Sequence, residues 1–336
     1  GNGSTQSVTY DESGNMQPDF VWCKKRNLSE QHVWFDVNRG VEKIIESDTQ
    51  DAQETHTSSL KSFDTNGVSF GGMSRTNANS HTYVSMSFKA GGTGSANTAG
   101  TINSTVSVNA AAGVSIVKYT GNGVANATIG HGLNDTIACI ILKNLSDSEN
   151  WWVYHKGLSD PATKAINLNN NNAEFTPGTS AFYPTSFSNT VFSVKNDNAS
   201  NSNGDDYIAY VYAEKPGFSS FGSYTGNGDT DGPFIPTNFA PHWVIVKCTS
   251  HQEDWYMANN KTPEYNGPLA ASGVRELLYP NAAGAANATI GWMNLYSNGF
   301  KMGYPGADTN GSGRSYLYSA FGSTIVGTNN VAQTAK

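Results

Sequence analysis

The sequence predicts an all-β chain of three tandem β-sandwich domains, jelly-roll or lectin-like in kind. Three observations carry this. Five landmarks recur three times in one order along the 336 residues. Short apolar runs are separated by Asn, Ser, Thr and 35 Gly, the residues that supply turns. The only plausible helix is short, at Val41-Glu42-Lys43-Ile44-Ile45-Glu46.

The first landmark is a Gly-Asn-Gly opening. Gly1-Asn2-Gly3 recurs within Tyr119-Thr120-Gly121-Asn122-Gly123 and Tyr224-Thr225-Gly226-Asn227-Gly228, at spacings of about 120 and 105 residues. A turn needing φ > 0 explains it better than half of a phosphate-binding loop, since no βαβ pattern surrounds it. Gly1 starts inside the motif, which suggests residues upstream. The second landmark is an apolar run ending in Lys: Phe20 to Lys24, Ile140 to Lys143 and Val244 to Lys247. Unbroken runs of this kind read as strands covered on both faces. Third comes an aromatic segment, His32 to Asp36, Trp151 to His155 and Asp254 to Met257. Fourth is a short strand at Asn66 to Phe70, Thr190 to Val194 and Asn298 to Met302. The fifth is an Asn/Gly/Ser turn leading into a strand at Tyr83, Tyr207 and Tyr316. After Tyr83, the alternation of Val84, Met86 and Phe88 with Ser85, Ser87 and Lys89 has the strand period of two.

These landmarks divide the chain into repeat unit one at 1–90, a linker or arm at 91–112, unit two at 113–217, unit three at 218–325 and a tail at 326–336. The arm is small and polar, as a linker is. The stretch from Gly322 onward has a similar composition and is expected to be poorly ordered or to pack on a neighbour. Each unit holds one cysteine, Cys23, Cys139 or Cys248, so none has a partner in its own domain. Buried free thiols are expected, which favours folding in a reducing compartment.

Charge excludes some functions. The net charge is −7 and no basic cluster exceeds Lys24-Lys25-Arg26, so nucleic-acid binding has no electrostatic footprint. No apolar run approaches the roughly 20 residues of a membrane-spanning helix, so no membrane insertion is expected.

The landmarks resemble a family of bacteriophage virion proteins, tail-fibre or tail-appendage proteins. The resemblance covers nearly the whole chain and is closest at Ser115 to Gly123, Gly130-His131-Gly132-Leu133, Trp152 to His155 and Phe221 to Phe234. Concanavalin-like or laminin-G-like sandwiches are similar in outline. The resemblance implies a virion-surface, extracellular component and brings no catalytic residues. The Asn-rich run from Asn167 to Asn172 departs from the family pattern.

Chemistry is sparse. Gly217-Phe218-Ser219-Ser220-Phe221-Gly222 has one residue too many for a nucleophile elbow and reads as a turn between units. The seven His show no metal-ligand spacing; Asp229 and Asp231 are a weak calcium candidate that the other units lack. Acids such as Asp147, Glu149, Asp205, Asp206, Glu253 and Asp254 could pair for glycoside hydrolysis, but they fall in turns and do not recur as a pair. No cofactor is implied. The binding candidates are aromatic: Trp34, Trp151, Trp152, Tyr154, Trp255 and Tyr256, which stack on sugars or fill interfaces, or else pack the core. Neighbours on a strand point to opposite faces, so one of Trp151 and Trp152 is expected to face solvent, a partner or a ligand. The expected function is a structural phage appendage protein, with host-surface glycan as its candidate ligand, and not an enzyme. Its expected partners are copies of itself, trimeric by analogy with fibres, and other virion proteins. The alternatives are a secreted adhesin or filament subunit and, less favoured, a polysaccharide depolymerase.

Overall fold

Short β-branched and aromatic runs between Gly, Asn and Ser turns fold into an all-β structure of six sheets, described by a computed structural model at residues 1–10, 16–178, 187–262, 276–287 and 292–324. In the first stretch, to residue 90, the strands are β1 (Gln6–Thr9), β2 (Phe20–Lys25), β3 (Val33–Asp36), β4 (Lys43–Glu46), β5 (Glu54–Thr55), β6 (Leu60–Asp64), β7 (Gly67–Phe70) and, after the one-turn helix α1 (Ser74–Asn77), β8 (Tyr83–Phe88). They form a larger sheet, β5-β4-β3-β2-β8, and a smaller one, β1-β7-β6.

The second stretch holds β9 (Ser95–Asn97), β10 (Ser104–Asn109), β11 (Val114–Thr120), β12 (Thr128–Gly130), β13 (Ile137–Asn144), β14 (Trp152–His155), β15 (Ile166–Asn167), β16 (Val191–Ser193) and β17 (Asp206–Ala213). Its sheets are β15-β14-β13-β17-β11-β10-β9 and β12-β16. The third stretch holds β18 (Ser219–Thr225), β19 (Phe234–Pro236), β20 (Phe239–Cys248), β21 (Trp255–Asn259), β22 (Met293–Tyr296), β23 (Gly299–Met302), α2 (Ala307–Asn310) and β24 (Ser315–Thr324), in sheets β18-β24-β20-β21 and β19-β23-β22.

Strand period explains the four cores. On β13, Ile140 and Leu142 point toward the smaller sheet of their stretch, while Cys139 and Ile141 point the other way. The same split divides Val21 and Cys23 from Phe20 and Trp22 on β2, and Val244 and Val246 from Trp243 and Ile245 on β20. The second set from every stretch enters one common core. The larger sheets are thus covered on both faces, which is why their strands read as unbroken apolar runs.

The landmarks occupy matching places. Tyr83, Tyr207 and Tyr316 each accept a hydrogen bond from a main-chain N–H five residues back and donate to a carbonyl nine residues back. Asn77, Asn201 and Asn310 accept the amides of Asn2, Asn122 and Asn227, latching each opening to the turn before a closing strand. The second glycines of the openings have φ of 72°, 68° and 68° at Gly3, Gly123 and Gly228, the left-handed region expected of them.

Two expectations are corrected. Val41 to Glu46 is not helical, since Lys43–Glu46 is the strand β4. Ile44 enters the first stretch's own core and Ile45 the common core, opposite directions that a strand supplies and a helix turn does not. Nor is 91–112 a linker or free arm. β10 pairs with β11 in register Val106 to Val117, and Ile102 and Val106 are buried. Its polarity has a local cause: Ser104 and Ser107 donate their hydroxyls to the carbonyls of Gly130 (2.9 Å) and Gly92 (2.6 Å), so both can be buried. Of the expected tail, Gly322 to Thr324 belongs to β24 and 326–336 lies outside the described residues.

Cys23, Cys139 and Cys248 are free and buried. Burial pushes the Cys23 thiol up to about 12 and raises that of Cys139 further. A bulky maleimide is therefore expected to label none of the three in native protein and all three in urea. Rapid labelling of the folded protein, followed by mass spectrometry, would contradict this.

Candidate functional site

The apolar runs end in Lys24, Lys143 and Lys247, and all three lysines are fully buried. Each ammonium donates to the carbonyl of the residue that follows it, at 2.7–2.8 Å. Each also reaches a carbonyl of another stretch: Lys24 to Ala283 (3.2 Å), Lys143 to Gln50 (3.1 Å) and Lys247 to Asn171 (3.4 Å). Six residues after each lysine stands a glutamate. The amides of Glu30, Glu149 and Glu253 donate to those same carbonyls. A return bond runs the other way, from Ala286 to Arg26, from Gln53 to Leu145 and from Glu174 to Thr249. First grips third, second grips first and third grips second, so the seams close a ring.

Aromatic N–H groups complete the seams. Trp151 donates its indole Nε1–H to the carbonyl of Glu46, and Trp255 to that of Asn167, both at 2.9 Å. At the matching place in the first stretch stands His32, whose Nδ1 accepts from Trp22 (2.9 Å). Burial holds its pKa well below 6.5, helped by the nearby Lys24 charge and opposed by the main-chain carbonyls of Tyr279 and Ala282. Desolvation likewise lowers all three lysines from 10.5 to about 8, against the pull of nearby acids.

The aromatic candidates are all buried. Trp34, Trp151 and Trp255 lie in the common core, where the rings of Trp34 and Trp151 are 4.8 Å apart. Trp152 and Tyr154 pack in the second stretch's own core and Tyr256 in the third's, stacked on Trp292 at 5.0 Å. The expectation that Trp151 or Trp152 faces outward is therefore corrected. They do point to opposite faces of β14, but both faces are covered, with Trp151 at 0% and Trp152 at 7% exposure. The Asn167 to Asn172 run supplies seam acceptors through Asn167 and Asn171.

Asp229 and Asp231 form a tight exposed turn. Asp229 accepts the amide of Asp231, and the Asp231 carboxylate pairs with Lys301. Among the described residues no three His, Cys, Asp or Glu side chains converge as a metal site. Among the described residues Asp308 is a strongly perturbed acid, raised to about 7 by burial and by its contact with Glu253, beside Tyr256. Arg314 pairs with Glu253 at 2.5 Å. Sequence reading singled out Glu253 but not Asp308, which is remote in the chain, and gave the lysines no role although the Lys-to-Glu spacing of six was visible three times.

No curated protein sequence and no solved structure matches the chain. One family does match, across residues 1–324, and the chain belongs to it: the family described as a domain of unknown function, DUF7483.

Proposed function

We propose that this protein is a structural and attachment component of a phage surface, built as three copies of one two-sheet sandwich packed by their larger faces around the common core. The observation that carries this reading is where the recurring side chains go. The repeated lysines, tyrosines and most of the aromatics are used inside the molecule, in cores and seams, and the exposed large apolar residues Val8, Leu28, Val41, Val124 and Phe234 are scattered along the chain. The recurrent chemistry therefore builds rigidity, and the outward loops, rich in Asn, Ser and Gly, present surface. The buried free thiols support folding in a reducing cytosol before release. Immunogold electron microscopy of purified particles is the test: label on particle appendages is expected, and label confined to cell-attached filaments would replace this reading with that of an adhesin. One observation favours a second reading, a polysaccharide depolymerase: the carboxyl pair of Asp308 and Glu253, with one member holding its proton near neutral pH. Glycan cleavage abolished by Asp308→Asn in a folded protein would establish it.

A further inference from the structure

The larger sheets differ at one position. β17 lies between β13 and β11, and β24 lies between β20 and β18, whereas among the described residues β8 is the sheet edge with β2 alone beside it. Register shows that the three strands correspond, because Lys24, Lys143 and Lys247 stand opposite Val84, Ile208 and Leu317. The missing neighbour leaves specific traces. Tyr207 stacks on Tyr119 at 5.2 Å and Tyr316 on Tyr224 at 5.0 Å, both with interplanar angles of 13°. No ring stacks on Tyr83 among the described residues. Tyr83 and Val84 are half-buried where their counterparts are fully buried.

Beside Tyr83 lies a cavity of about 350 Å³ whose walls include Val8, Cys23, Phe70 and Thr76. Thr76 precedes Asn77 as Ser200 precedes Asn201 and Thr309 precedes Asn310. The carbonyls of Ser200 and Thr309 accept the hydroxyls of Tyr119 (2.7 Å) and Tyr224 (2.6 Å). A second cavity, of about 570 Å³, continues along the β8 edge past Met86 and Phe88 toward Phe218, Trp243 and Phe321.

We propose that the β8 edge and its two cavities are a binding site for one further extended strand of the type of β11 and β18, ending in Tyr-Thr. It would lie antiparallel on β8, as β11 does on β17 and β18 on β24. Its tyrosine stacks on Tyr83 and donates to the carbonyl of Thr76, and an apolar residue three positions earlier enters the common core opposite Met86. The main-chain bonds give affinity and the tyrosine pocket gives register.

The amino group of Gly1 donates to the carbonyl of His81 (2.6 Å), as the amides of Gly121 and Gly226 donate to Asp205 and Arg314. A graft of the Ser219–Thr225 sequence directly ahead of Gly1 therefore delivers the strand in register. The expected result is amide exchange at 84–88 slowed by about tenfold or more, the scale of an aromatic pair plus strand hydrogen bonds. The same graft with Ala for its tyrosine should lose most of that protection. If the graft impairs folding, the free seven-residue peptide, with and without its tyrosine, gives the same readout. Equal exchange in all cases overturns the proposal. So does concentration-dependent protection of 84–88 in the ungrafted chain, which would mean that a second copy already covers the edge.

Discussion

Trp151→Ala is expected to lower stability by about 3–5 kcal/mol, the usual cost of emptying a buried aromatic site. Trp151 is fully buried, touches Trp34 in the common core and, through Nε1, is a hydrogen-bond donor across the seam between the second and first stretches. Trp34 is itself packed on Phe20 (5.0 Å), Trp22 (4.4 Å) and Tyr210 (5.0 Å), so the cavity opens where the first and second stretches meet. Trp151→Phe keeps most of the ring and loses the donor, leaving the Glu46 carbonyl with an unmet acceptor at a cost of about 1–2 kcal/mol. Urea midpoints should rank wild type above Trp151→Phe above Trp151→Ala, with the second step larger. Equal midpoints for Trp151→Ala and wild type would remove the ring from the core. Trp152→Ala should also destabilise, through the separate core that holds Phe192 and Tyr207.

Raising the pH from 8 to 10 is expected to stabilise the protein. Burial lowers Lys24, Lys143 and Lys247 to about 8, whereas in the unfolded chain they titrate near the ordinary value of about 10.4. Between those values the unfolded state holds more protons, so stability climbs with pH. The buried acids act in the opposite sense at lower pH. Glu46 is raised to about 7 and Asp48 to about 6, in both cases chiefly by burial. Their contribution is complete below about pH 4 and is lost as pH rises through 6 to 7. The buried imidazoles of His32, His131 and His155, all lowered by burial, oppose the acids below about pH 6.5, so the rise above pH 8 is the part of the profile with one sign. The window closes near pH 10, where unfolded tyrosines ionise while Tyr10 and Tyr207, raised to about 12 by burial, do not. Lys143→Met should flatten the rise by about a third in urea titrations at fixed salt. A midpoint falling steadily from pH 7 to 10 would show that the lysines are not desolvated.

The sequence made the repeating local chemistry legible because each device is short. A glycine at positive φ, a tyrosine reaching back nine residues and an apolar run each need only their own neighbourhood. The runs even announced that both faces of the larger sheets are covered. What covers the second face was hidden, because the common core gathers Trp34, Trp151 and Trp255 from stretches more than a hundred residues apart. The same blindness made one of Trp151 and Trp152 look uncovered. Lys43 to Glu46 carries an apolar pair too short to separate helix from strand by period. Ser104 to Asn109 looked like a linker because its buried serines bond to carbonyls that the sequence does not display.

The ring of seams also bears on how the molecule is made. Lys24 finds its acceptor at Ala283, 259 residues further along the chain. A ribosome emits the first stretch long before that carbonyl exists, so the nascent chain carries a charged amine with no distant partner. The first stretch emerging from the exit tunnel can form its local turns, but the ring locks only after Ala283 has emerged as well. Until then the inner sheet faces are open to solvent and to other nascent chains. Such long-range closure is slow and exposes the chain to aggregation. Yield in a cell should therefore depend on chaperones more steeply than the stability of the finished ring would suggest.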